Sequence, residues 1–417
     1  MQQKLIVVSM DALIYEDLEY LSTKPSFRWL MEHGAMVNRI RSVFPTLTYP
    51  CHATMSTGQY PSGHGVVNNT YFEPGVVNSP WCWFHDVYKA KDLPDACKEK
   101  GLTVASVGWP ANGKHAHVDY LVGEIAATRA KTVEAFYHDY ALTGTPQWLW
   151  DAVCLPNIHW RTEKRRVAMF NAAVCCDIVR YYKPDLVLLH LANPDNARHK
   201  YGVFSPDIQP ALDECEEILS WLLGAVQDSG VDYNLVITAD HGQMDTFQTA
   251  NPNTLFAQNG YLELDENGSV TNWRAWSHSV GMSAVVYVKD PADEPAVYLL
   301  LKQYEGQGFR RIYSREEAAK DGFSGDFAFV LDSDGRTGFD NYWLGEYLVP
   351  LEYVHGSHGF HPENGPSPTL LAIGPAFTND AVLERANLVD GATTWAHILG
   401  VSLPDAQGRV LQELLKE

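Results

Sequence analysis

The sequence predicts an α/β protein in which a central, mostly parallel sheet is flanked by helices and carries a smaller inserted α+β lobe. Short uninterrupted apolar runs, such as residues 5–9, are typical of strands buried on both faces. Segments with apolar residues at helical spacing alternate with these runs, and such alternation with long crossovers builds a parallel sheet covered by helices. Between residues 251 and 355, short strands and turns replace this repeat, which indicates an inserted unit. A chain of 417 residues is long enough for both parts.

The first half of the chain supplies strands and helices in alternation. The run at 5–9 ends just before Asp11, and an acid in that position lies where open α/β sheets bind their ligands. The alternative is that Asp11 only caps a following helix. A helix over 165–182 is stopped by Pro184. The predicted elements of this half are a strand at 5–9, a helix at 26–34, a strand at 102–107 and the helix at 165–182.

The second half continues the repeat, is interrupted by the lobe and then completes the sheet. Before the interruption we predict a strand at 185–191, a loop at 193–202, a helix at 208–226 and a strand at 234–239. Inside the lobe we predict strands at 283–288 and 327–331 and a helix near 296–304. After it follow a strand at 369–374 and a helix at 390–400. The domain division is therefore a core of residues 1–250 plus 356–417, capped by the lobe at 251–355.

Composition limits the classes of partner. The formal net charge of −20 argues against a nucleic-acid polymer or an anionic membrane surface as the main partner. The negative net charge is compatible with a small anionic substrate, because bound cations reverse the electrostatic field at a binding site. The chain starts almost directly with a predicted strand and has no apolar run of about 18 residues, so we expect neither a secretion leader nor a membrane span. Seven scattered cysteines without a Cys-x-x-Cys pair fit a reducing compartment, and we expect a cytoplasmic protein.

A threonine-rich stretch at 44–52 is the first candidate for chemistry. It contains the hydroxyls of Thr46 and Thr48 between two prolines that stiffen the backbone. A threonine hydroxyl is a poor nucleophile at neutral pH, and it becomes a good one when a base or a metal ion removes its proton. The stretch therefore needs a metal site or a base from elsewhere in the chain.

Acids and histidines that follow predicted strands, or that lie among glycines, supply such a site. Three carboxylates and three imidazoles are suitable ligands for divalent metals. Two divalent ions more than neutralise three carboxylates, and the remaining positive charge favours a Thr48 alkoxide and a phosphoryl oxygen. Two ions about 4 Å apart can activate the nucleophile and stabilise the leaving oxygen. The candidates are Asp11, Asp195, His199, Asp240, His241 and His358.

Taken together, these residues resemble the nucleotide pyrophosphatase/phosphodiesterase family of the alkaline phosphatase superfamily. The resemblance extends over most of the chain and is weakest in the lobe and between residues 112 and 156. It implies an alkaline-phosphatase-like fold. The positions that carry it are Asp11, the run 44–52, Thr57-Gly58, Tyr60-Pro61, His64-Gly65, Asn69, Trp109-Pro110, Asp195 to His199, Tyr201-Gly202, Asp240-His241-Gly242, His358-Gly359, 374–377 and 408–410.

The resemblance implies a role for each matching residue. Thr48 is similar to the family nucleophile, which takes the phosphoryl group covalently. Asn69 and the backbone N–H of Tyr49 would hold a phosphoryl oxygen, and the Tyr49 ring would flank the substrate. The implied metals are two divalent ions, expected to be Zn²⁺. One would be held by Asp11, Thr48, Asp240 and His241, and the other by Asp195, His199 and His358.

Some residues depart from the family pattern or stay outside it. Cys51 stands where the family commonly has asparagine, and we interpret it as structural because Met55 breaks the pattern of sulfatases that modify a cysteine. His361-Pro362 replaces the usual continuation after His358-Gly359, which affects the substrate-side loop. His190 lies inside a predicted strand and is interpreted as a core residue. The aromatic cluster at 81–84 is interpreted as a satellite core, with a pocket wall as the alternative.

The sequence therefore predicts a hydrolase: a two-zinc phosphodiesterase or nucleotide pyrophosphatase with a phosphothreonine intermediate and a small-molecule substrate. Asn69 is neutral, which suits a diester that carries one charge. The first alternative keeps the metals and is a phosphomonoesterase, phosphonate hydrolase or phosphomutase, for which the lobe would be an enclosing cap. The second alternative is a non-catalytic, metal-stabilised binding module. Neither the natural substrate nor the oligomeric state follows from the sequence.

Overall fold

A computed structural model describes residues 3–125 and 130–416 of the chain. It contains 17 strands in four sheets. The strands are β1 Lys4–Met10, β2 Ala35–Arg41, β3 Val104–Val107, β4 Tyr120–Val122, β5 Leu186–Leu191, β6 Tyr233–Thr238, β7 Met244–Ala250, β8 Leu262–Leu264, β9 Val270–Trp273, β10 Ala275–Ser279, β11 Ser283–Val288, β12 Phe309–Ser314, β13 Phe329–Ser333, β14 Thr337–Phe339, β15 Leu348–Ser357, β16 Leu370–Ile373 and β17 Val382–Asn387.

Helices alternate with these strands along the chain. The α-helices are α1 Asp17–Leu21, α2 Pro25–His33, α3 Thr48–Thr57, α4 Pro61–His64, α5 Leu93–Glu99, α6 Val133–Leu142, α7 Gln147–Leu149, α8 His159–Thr162, α9 Val167–Tyr181, α10 Asp195–Tyr201, α11 Gln209–Ser229, α12 Pro252–Gln258, α13 Glu294–Lys302, α14 Arg315–Lys320 and α15 Val389–Leu399. None of the described helices is long and apolar enough to cross a membrane.

The central sheet has eight strands in the order β17-β2-β16-β6-β1-β5-β3-β4. β16 pairs antiparallel with β2 and β6, and every other neighbouring pair in this sheet is parallel. The predicted mostly parallel α/β sheet is thereby confirmed. Its central strands β6, β1 and β5 run side by side, so that their carboxyl ends meet at one edge of the sheet.

The two faces of this sheet are both covered, because successive residues of a strand point to opposite sides. From β1, Ile6 and Val8 pack in one buried cluster with α9 and α11. Leu5 and Val7 pack in a second cluster with α3, α5 and α15. Burial on both sides explains why these strands are continuous apolar runs in the sequence.

A second structural unit, called the lobe below, follows β7 along the chain. Its main sheet is the antiparallel β10-β11-β13-β12, which packs with α12 and α13. The chain enters along β7 and returns along β15, and these two strands pair antiparallel in a small sheet with β14. The predicted strands at 283–288 and 327–331 and the helix near 296–304 correspond to β11, β13 and α13. The division at residues 251 and 355 stays a prediction.

One predicted element is wrong. Residues 193–202 were expected to form a loop, and they contain α10, a helix from Asp195 to Tyr201. The helix is only seven residues long and buries two of its side chains, so it lacks the long apolar stripe that signals a helix in sequence. The difference matters for the chemistry, because Asp195 and His199 lie four residues apart and therefore on one face of α10.

Candidate active site

The carboxyl edge of the central strands brings three carboxylates together. Asp11 directly follows β1, and Asp240 lies two residues after β6. Asp195 opens α10, which follows β5 after a short connection. All three are buried. Parallel neighbours in the sheet therefore place three acids from distant parts of the chain in one small volume, as expected for a site at the ends of open α/β strands.

Asp11, Asp240 and His241 form the first group of candidate ligands. Nε2 of His241 lies 3.5 Å from Oδ1 of Asp11 and 3.2 Å from Oδ2 of Asp240. The Thr48 hydroxyl lies 3.2 Å from the same nitrogen. The four residues predicted for one metal ion therefore meet at a single point.

The second group is centred on Asp195. Its Oδ1 lies 3.3 Å from Nε2 of His199 and 3.7 Å from Nε2 of His358. His358 follows β15, and its ring stacks on that of His241 with centroids 4.0 Å apart. Asp195, His241 and His358 also form a candidate metal-holding group, so the two groups are contiguous. The structure thus brings all seven predicted ligands together, while their role in binding metal stays a prediction.

The hydrogen bonds of His199 and His358 determine which ring nitrogen can bind a cation. Nδ1 of His199 lies 2.7 Å from the carbonyl oxygen of Gly356, and Nδ1 of His358 lies 3.2 Å from that of Thr46. A carbonyl only accepts, so each Nδ1 carries the ring proton and donates it. Nε2 of each ring therefore faces Asp195 and is the nitrogen that can bind a metal ion, at His199 once its Nε2 proton is lost.

Charge at the first group is uncompensated in the protein alone. Oδ1 of Asp11 and Oδ2 of Asp240 are buried and accept no hydrogen bond from the described residues. Burial, followed by the charges of Asp240 and Asp195, raises the pKa of Asp11 well above its usual range. Burial also raises the pKa of Asp240 to about 6. Buried carboxylates that repel one another need a cation, and the donor set fits divalent metal ions.

Neutral imidazoles match this requirement. Burial lowers the pKa of His241 to about 4 and, together with the charge of His241, that of His358 to about 3. At His199, burial lowers the pKa but the Asp195 charge outweighs it and brings the value to about 8. Ligand histidines bind metals in the neutral form, which His241 and His358 therefore already have.

A second cluster outside the site, His85, Asp92 and His115, shows the contrast. Nδ1 of His115 accepts the backbone N–H of His117 at 3.0 Å, so Nε2 of His115 keeps the ring proton and donates it to Asp92. The buried Asp92 carboxylate also contacts Nε2 of His85 at 3.2 Å and accepts the N–H of Asp95 at 3.0 Å. This cluster is satisfied by its own hydrogen bonds, whereas the first group at the strand ends is not.

Thr48 is the first residue of α3 and is mostly buried, with 7% of its surface exposed. Its hydroxyl therefore lies at the positive end of the helix, where backbone N–H groups favour an anion. Pro50 lies in the first turn, where a missing N–H costs nothing. Helix geometry and the neighbouring His241 thus orient the hydroxyl towards the carboxylates.

Asn69 lies beside the nucleophile candidate. Its side-chain oxygen accepts the backbone N–H of Tyr49 at 2.9 Å. The predicted pair of phosphoryl-oxygen donors is therefore in contact, and the Asn69 amide nitrogen is the remaining donor of that side chain. Whether the pair holds a phosphoryl oxygen stays a prediction.

The Tyr49 side chain is placed differently from the expectation. It has no exposed surface, its hydroxyl donates to Glu124, and its ring packs against Trp81 with centroids 5.5 Å apart. This burial argues against the ring as a substrate contact. The Tyr49 backbone N–H is also occupied, because it donates to the Asn69 side chain, and it therefore orients the Asn69 amide. The aromatic cluster at 81–84 contributes to the same buried group, so its interpretation as a satellite core is supported.

Sequence reasoning missed three residues that contact the site. Nε2 of His190, set aside as a core residue, lies 3.1 Å from Oδ2 of Asp11. The Gln243 amide donates to Oδ1 of Asp195. Glu124 bonds to Tyr49, and burial raises its pKa to about 7. The only available signal was position: His190 is the penultimate residue of a central strand, and Gln243 follows the Asp240-His241-Gly242 motif.

The two departures from the family pattern have structural explanations. Cys51 is fully buried, its sulfur lies 3.2 Å from the Ser42 hydroxyl, and burial raises the pKa of its thiol. It therefore has no reactive thiolate. His361 lies 3.2 Å from Asp321, and its ring packs edge-on against Phe44 with centroids 5.1 Å apart. His361 thus joins the lobe to the core instead of facing the carboxylates.

Comparison with protein families gives one match across most of the chain. A family model described as type I phosphodiesterase/nucleotide pyrophosphatase matches residues 5–361. Human ectonucleotide pyrophosphatase/phosphodiesterase family member 5 is 24% identical over 429 residues, covering 99% of this chain and 78% of that protein. A venom phosphodiesterase of Macrovipera lebetinus is 24% identical over 260 residues, covering 58% of this chain and 26% of that protein.

Comparison with solved structures supports the same fold. Human ectonucleotide pyrophosphatase/phosphodiesterase 5 superposes with a TM-score of 0.71 at 20% identity, and all of both chains is covered. An inactive threonine-to-alanine variant of the murine protein, in complex with AMP, superposes with a TM-score of 0.67 at 20% identity and the same coverage. The architecture of the chain is therefore that of these solved structures.

Proposed function

The chain belongs to the type I phosphodiesterase/nucleotide pyrophosphatase family of hydrolases, and from this we propose that it cleaves small phosphodiesters or nucleotide phosphoanhydrides through a covalent phosphothreonine at Thr48. We infer that two divalent ions, expected to be zinc, complete the site. Asp11, Thr48, Asp240 and His241 would hold one of them. Asp195, His199 and His358 would hold the other.

One observation carries the proposal: two buried carboxylate oxygens, Oδ1 of Asp11 and Oδ2 of Asp240, have no hydrogen-bond partner among the described residues and lie beside a threonine hydroxyl at a helix N-terminus. When bound, two divalent ions lower the pKa of a hydroxyl and neutralise charge on phosphoryl oxygens. A protein that only binds metal ions would not need the Thr48 hydroxyl beside these carboxylates. The murine relative, whose threonine-to-alanine variant is inactive and was obtained with AMP, supports a threonine-dependent reaction on a nucleotide.

The residues of the chain have defined tasks in this reaction. Thr48 Oγ forms a bond to phosphorus while the bond to the leaving oxygen breaks, and the proton lost by Thr48 is balanced by the proton that the leaving oxygen takes up. The Asn69 amide N–H donates to a phosphoryl oxygen, and the Tyr49 N–H, which donates to the Asn69 side-chain oxygen at 2.9 Å, orients that amide. Water then cleaves the phosphothreonine, which restores the hydroxyl and releases the phosphomonoester.

The donors beside Thr48 favour a diester over a monoester. Asn69 is neutral, and among the described residues no arginine forms a hydrogen bond with Thr48 or Asn69. A monoester presents a second anionic oxygen that would need a cationic partner. The first alternative, a monoesterase, phosphonate hydrolase or mutase, would need such a partner from elsewhere.

The test compares p-nitrophenyl thymidine monophosphate, a diester, with p-nitrophenyl phosphate, a monoester. Both are assayed with wild type and Thr48→Ala, each with and without added zinc. Zinc-dependent preference for the diester, lost in Thr48→Ala, is expected. Preference for the monoester would favour the first alternative. Bound zinc with no turnover of either substrate, or of diadenosine and dinucleotide substrates, would favour the binding module.

A further inference from the structure

Three arginines come together at the outer edge of the central sheet. Arg39 and Arg41 lie in β2, and Arg385 lies in β17, the edge strand that pairs parallel with β2. Ile40, between the first two, and Ala386, next to the third, are buried in the core. Since successive residues of a strand point to opposite sides, the three arginines share the opposite face.

The strand register places these positive charges side by side. Arg39 and Arg385 are direct partners in the pairing of β2 with β17. Neighbouring strands lie about 4.8 Å apart, and alternate residues of one strand lie about 6.6 Å apart. Like charges directly opposite each other in a sheet repel and are destabilising. An anion placed between the guanidinium groups would relieve this repulsion.

A cleft of about 450 Å³, called the arginine cleft below, opens over this face. The three arginines form one wall, and the turn that contains Pro362, Gly365 and Ser367 forms the other. Glu363 is the single acid among the described residues that line the cleft, against three arginines. The whole chain has a formal net charge of −20, so the positive charge of the cleft is a local feature.

Neighbouring side chains hold two of the guanidinium groups in place. The Arg39 guanidinium lies over the Tyr15 ring, 4.1 Å from its centroid. Nη2 of Arg41 donates to Asp321 at 3.1 Å. A planar guanidinium that is already oriented loses little conformational freedom when it binds a ligand. The wall is therefore prepared for an anion.

The remaining charges leave room for such a ligand. Glu384 is 3.3 Å from Arg39, and Glu363 donates no proton but accepts one from Arg41. The side chains of these two acids are 66% and 55% exposed, and pairs with exposed acids are weak and easily exchanged. Arg385 is exposed and forms no ion pair within the described part of the chain.

We propose that the arginine cleft binds a phosphate-type dianion at a site separate from Thr48. Guanidinium groups match phosphate oxygens with pairs of parallel hydrogen bonds, and a tetrahedral dianion presents oxygens to several of them at once. None of the predicted metal ligands lines the cleft. Its volume lies in the range of about 300–1,000 Å³ that is usual for small-molecule sites. Inorganic phosphate and a phosphomonoester share the required chemistry.

Isothermal titration calorimetry with inorganic phosphate at fixed ionic strength tests the site. The full chain is measured with zinc and after chelation, when the carboxylates beside Thr48 repel anions and phosphate is expected to bind only at the arginine cleft. Arg385→Gln and Arg39→Gln are each expected to raise Kd about tenfold or more, as for the loss of a charge-assisted hydrogen bond. Arg274→Gln is the matched control, because this arginine is 52% exposed and pairs with Asp293 in the lobe.

Equal Kd values for wild type and both cleft variants would overturn the site, and so would the loss of all phosphate binding when a folded protein is freed of zinc. If chelation unfolds the chain, the zinc-loaded protein decides. The number of phosphate ions bound per chain must then fall by one in the cleft variants, and an unchanged number would overturn the site.

Two further ligands test the chemical class. Acetate bound as tightly as phosphate would overturn the preference for a phosphate-type dianion. Phenyl phosphate bound more tightly than inorganic phosphate would support the site with a phosphomonoester as its ligand, and the reverse order would support it with the free ion. The proposal does not depend on catalysis at Thr48, so a failure of the phosphodiesterase assay leaves it standing.

Discussion

Hydrogen bonds at single ring nitrogens distinguish the candidate metal ligands from other buried histidines. His199 and His358 donate from Nδ1 to backbone carbonyls, so Nε2 is the nitrogen that can bind a cation, at His199 in place of its proton. His115 does the opposite, because its Nδ1 accepts a backbone N–H. None of this is visible in sequence, where all three are histidines near an aspartate. The sequence selected His199 and His358 by their position after predicted strands and by family resemblance.

Substitution of Thr48 tests the nucleophile. Thr48→Ala is expected to lower kcat for the diester by roughly 10³-fold or more, because the covalent step loses its attacking oxygen. Thr48→Ser keeps a hydroxyl at the start of α3 and is expected to retain measurable turnover. Steady-state kinetics with a single-turnover check for phosphorylated protein measures both. Equal activity of wild type and Thr48→Ala would remove Thr48 from the mechanism.

The His85–Asp92 pair predicts a pH-dependent stability. Burial lowers the pKa of His85, but its hydrogen bond to Asp92 and the Asp92 charge outweigh this and raise the pKa above its ordinary value. Protonated His85 therefore stabilises the fold fully below about pH 6.5, and this contribution is lost as the pH rises through the raised value.

Urea denaturation across pH 5.5 to 9 measures this contribution. The difference in unfolding free energy between wild type and His85→Gln is expected to shrink with rising pH. His138→Gln is the control, since the His138 side chain is 72% exposed. A difference for His85→Gln that grows with pH, or that matches the control, would refute the assignment.

At the scale of elements, the turn after β15 determines where His358 lies. Gly359 has φ +92°, and an added Cβ would lie 1.6 Å from the carbonyl oxygen of Val280. Its N–H donates to the carbonyl of Thr46 at 2.7 Å, which connects the turn to the stretch before Thr48. A glycine is therefore required here by both conformation and space.

Gly359→Ala is expected to lower the unfolding free energy by roughly 2–4 kcal/mol, because strain at positive φ adds to a backbone clash. It should also reduce the zinc content, since His358 moves with the turn. Gly345→Ala is the matched control: its φ is +94°, but nothing lies within 4 Å of the added Cβ. Thermal denaturation and metal analysis measure both effects. Equal losses in the two variants would contradict a role for the contact with Val280.

The lobe holds the segment that carries Asn69, because the Asn68 amide donates to the carbonyl of Ser279 in β10 at 3.0 Å while the Asn68 oxygen accepts the Asn69 N–H at 2.7 Å. We expect Asn68→Ala to lower kcat about tenfold or more by releasing Asn69, and to cost about 1–3 kcal/mol of stability through lost buried hydrogen bonds. Asn253 makes a similar pair of bonds to Ser277, at 2.8 and 2.7 Å, far from Thr48 in the chain. Asn253→Ala should therefore lose stability without the loss in kcat. An equal loss of kcat in both variants would mean that any loss of stability lowers the activity, and it would contradict a specific role of Asn68 in positioning Asn69.

Elements with a clear pattern of apolar residues could be predicted from the sequence, and features that depend on tertiary contacts could not. The continuous apolar runs predicted β1, β5 and β6, because burial on both faces leaves that pattern. The short α10 was missed, since seven residues with two buried side chains carry no helical period. The burial of Tyr49 was also missed, because it depends on Glu124 and Trp81, which no local pattern connects to it.

At the scale of the whole molecule, strand order creates the site. β6, β1 and β5 are neighbours in the sheet, and their ends deliver Asp240, Asp11 and Asp195 from three parts of the chain. The sequence predicted which residues follow strands, and family resemblance supplied the pairing into two metal groups. Neither revealed the cleft of about 390 Å³ between core and lobe, because His278 and Tyr287, which line it, reach it only through tertiary structure. The cytoplasmic location stays a prediction; all seven cysteines are buried and unpaired.

Anomalous diffraction at the zinc edge from a zinc-loaded crystal locates the metal ions proposed beside Thr48. Two peaks are expected, one among Asp11, Asp240 and His241 and one among Asp195, His199 and His358, and none at His85, Asp92 and His115. Asp11→Asn should weaken the first peak more than the second. A single peak at the strand ends, or zinc only at the His85 cluster, would refute a two-metal site beside Thr48.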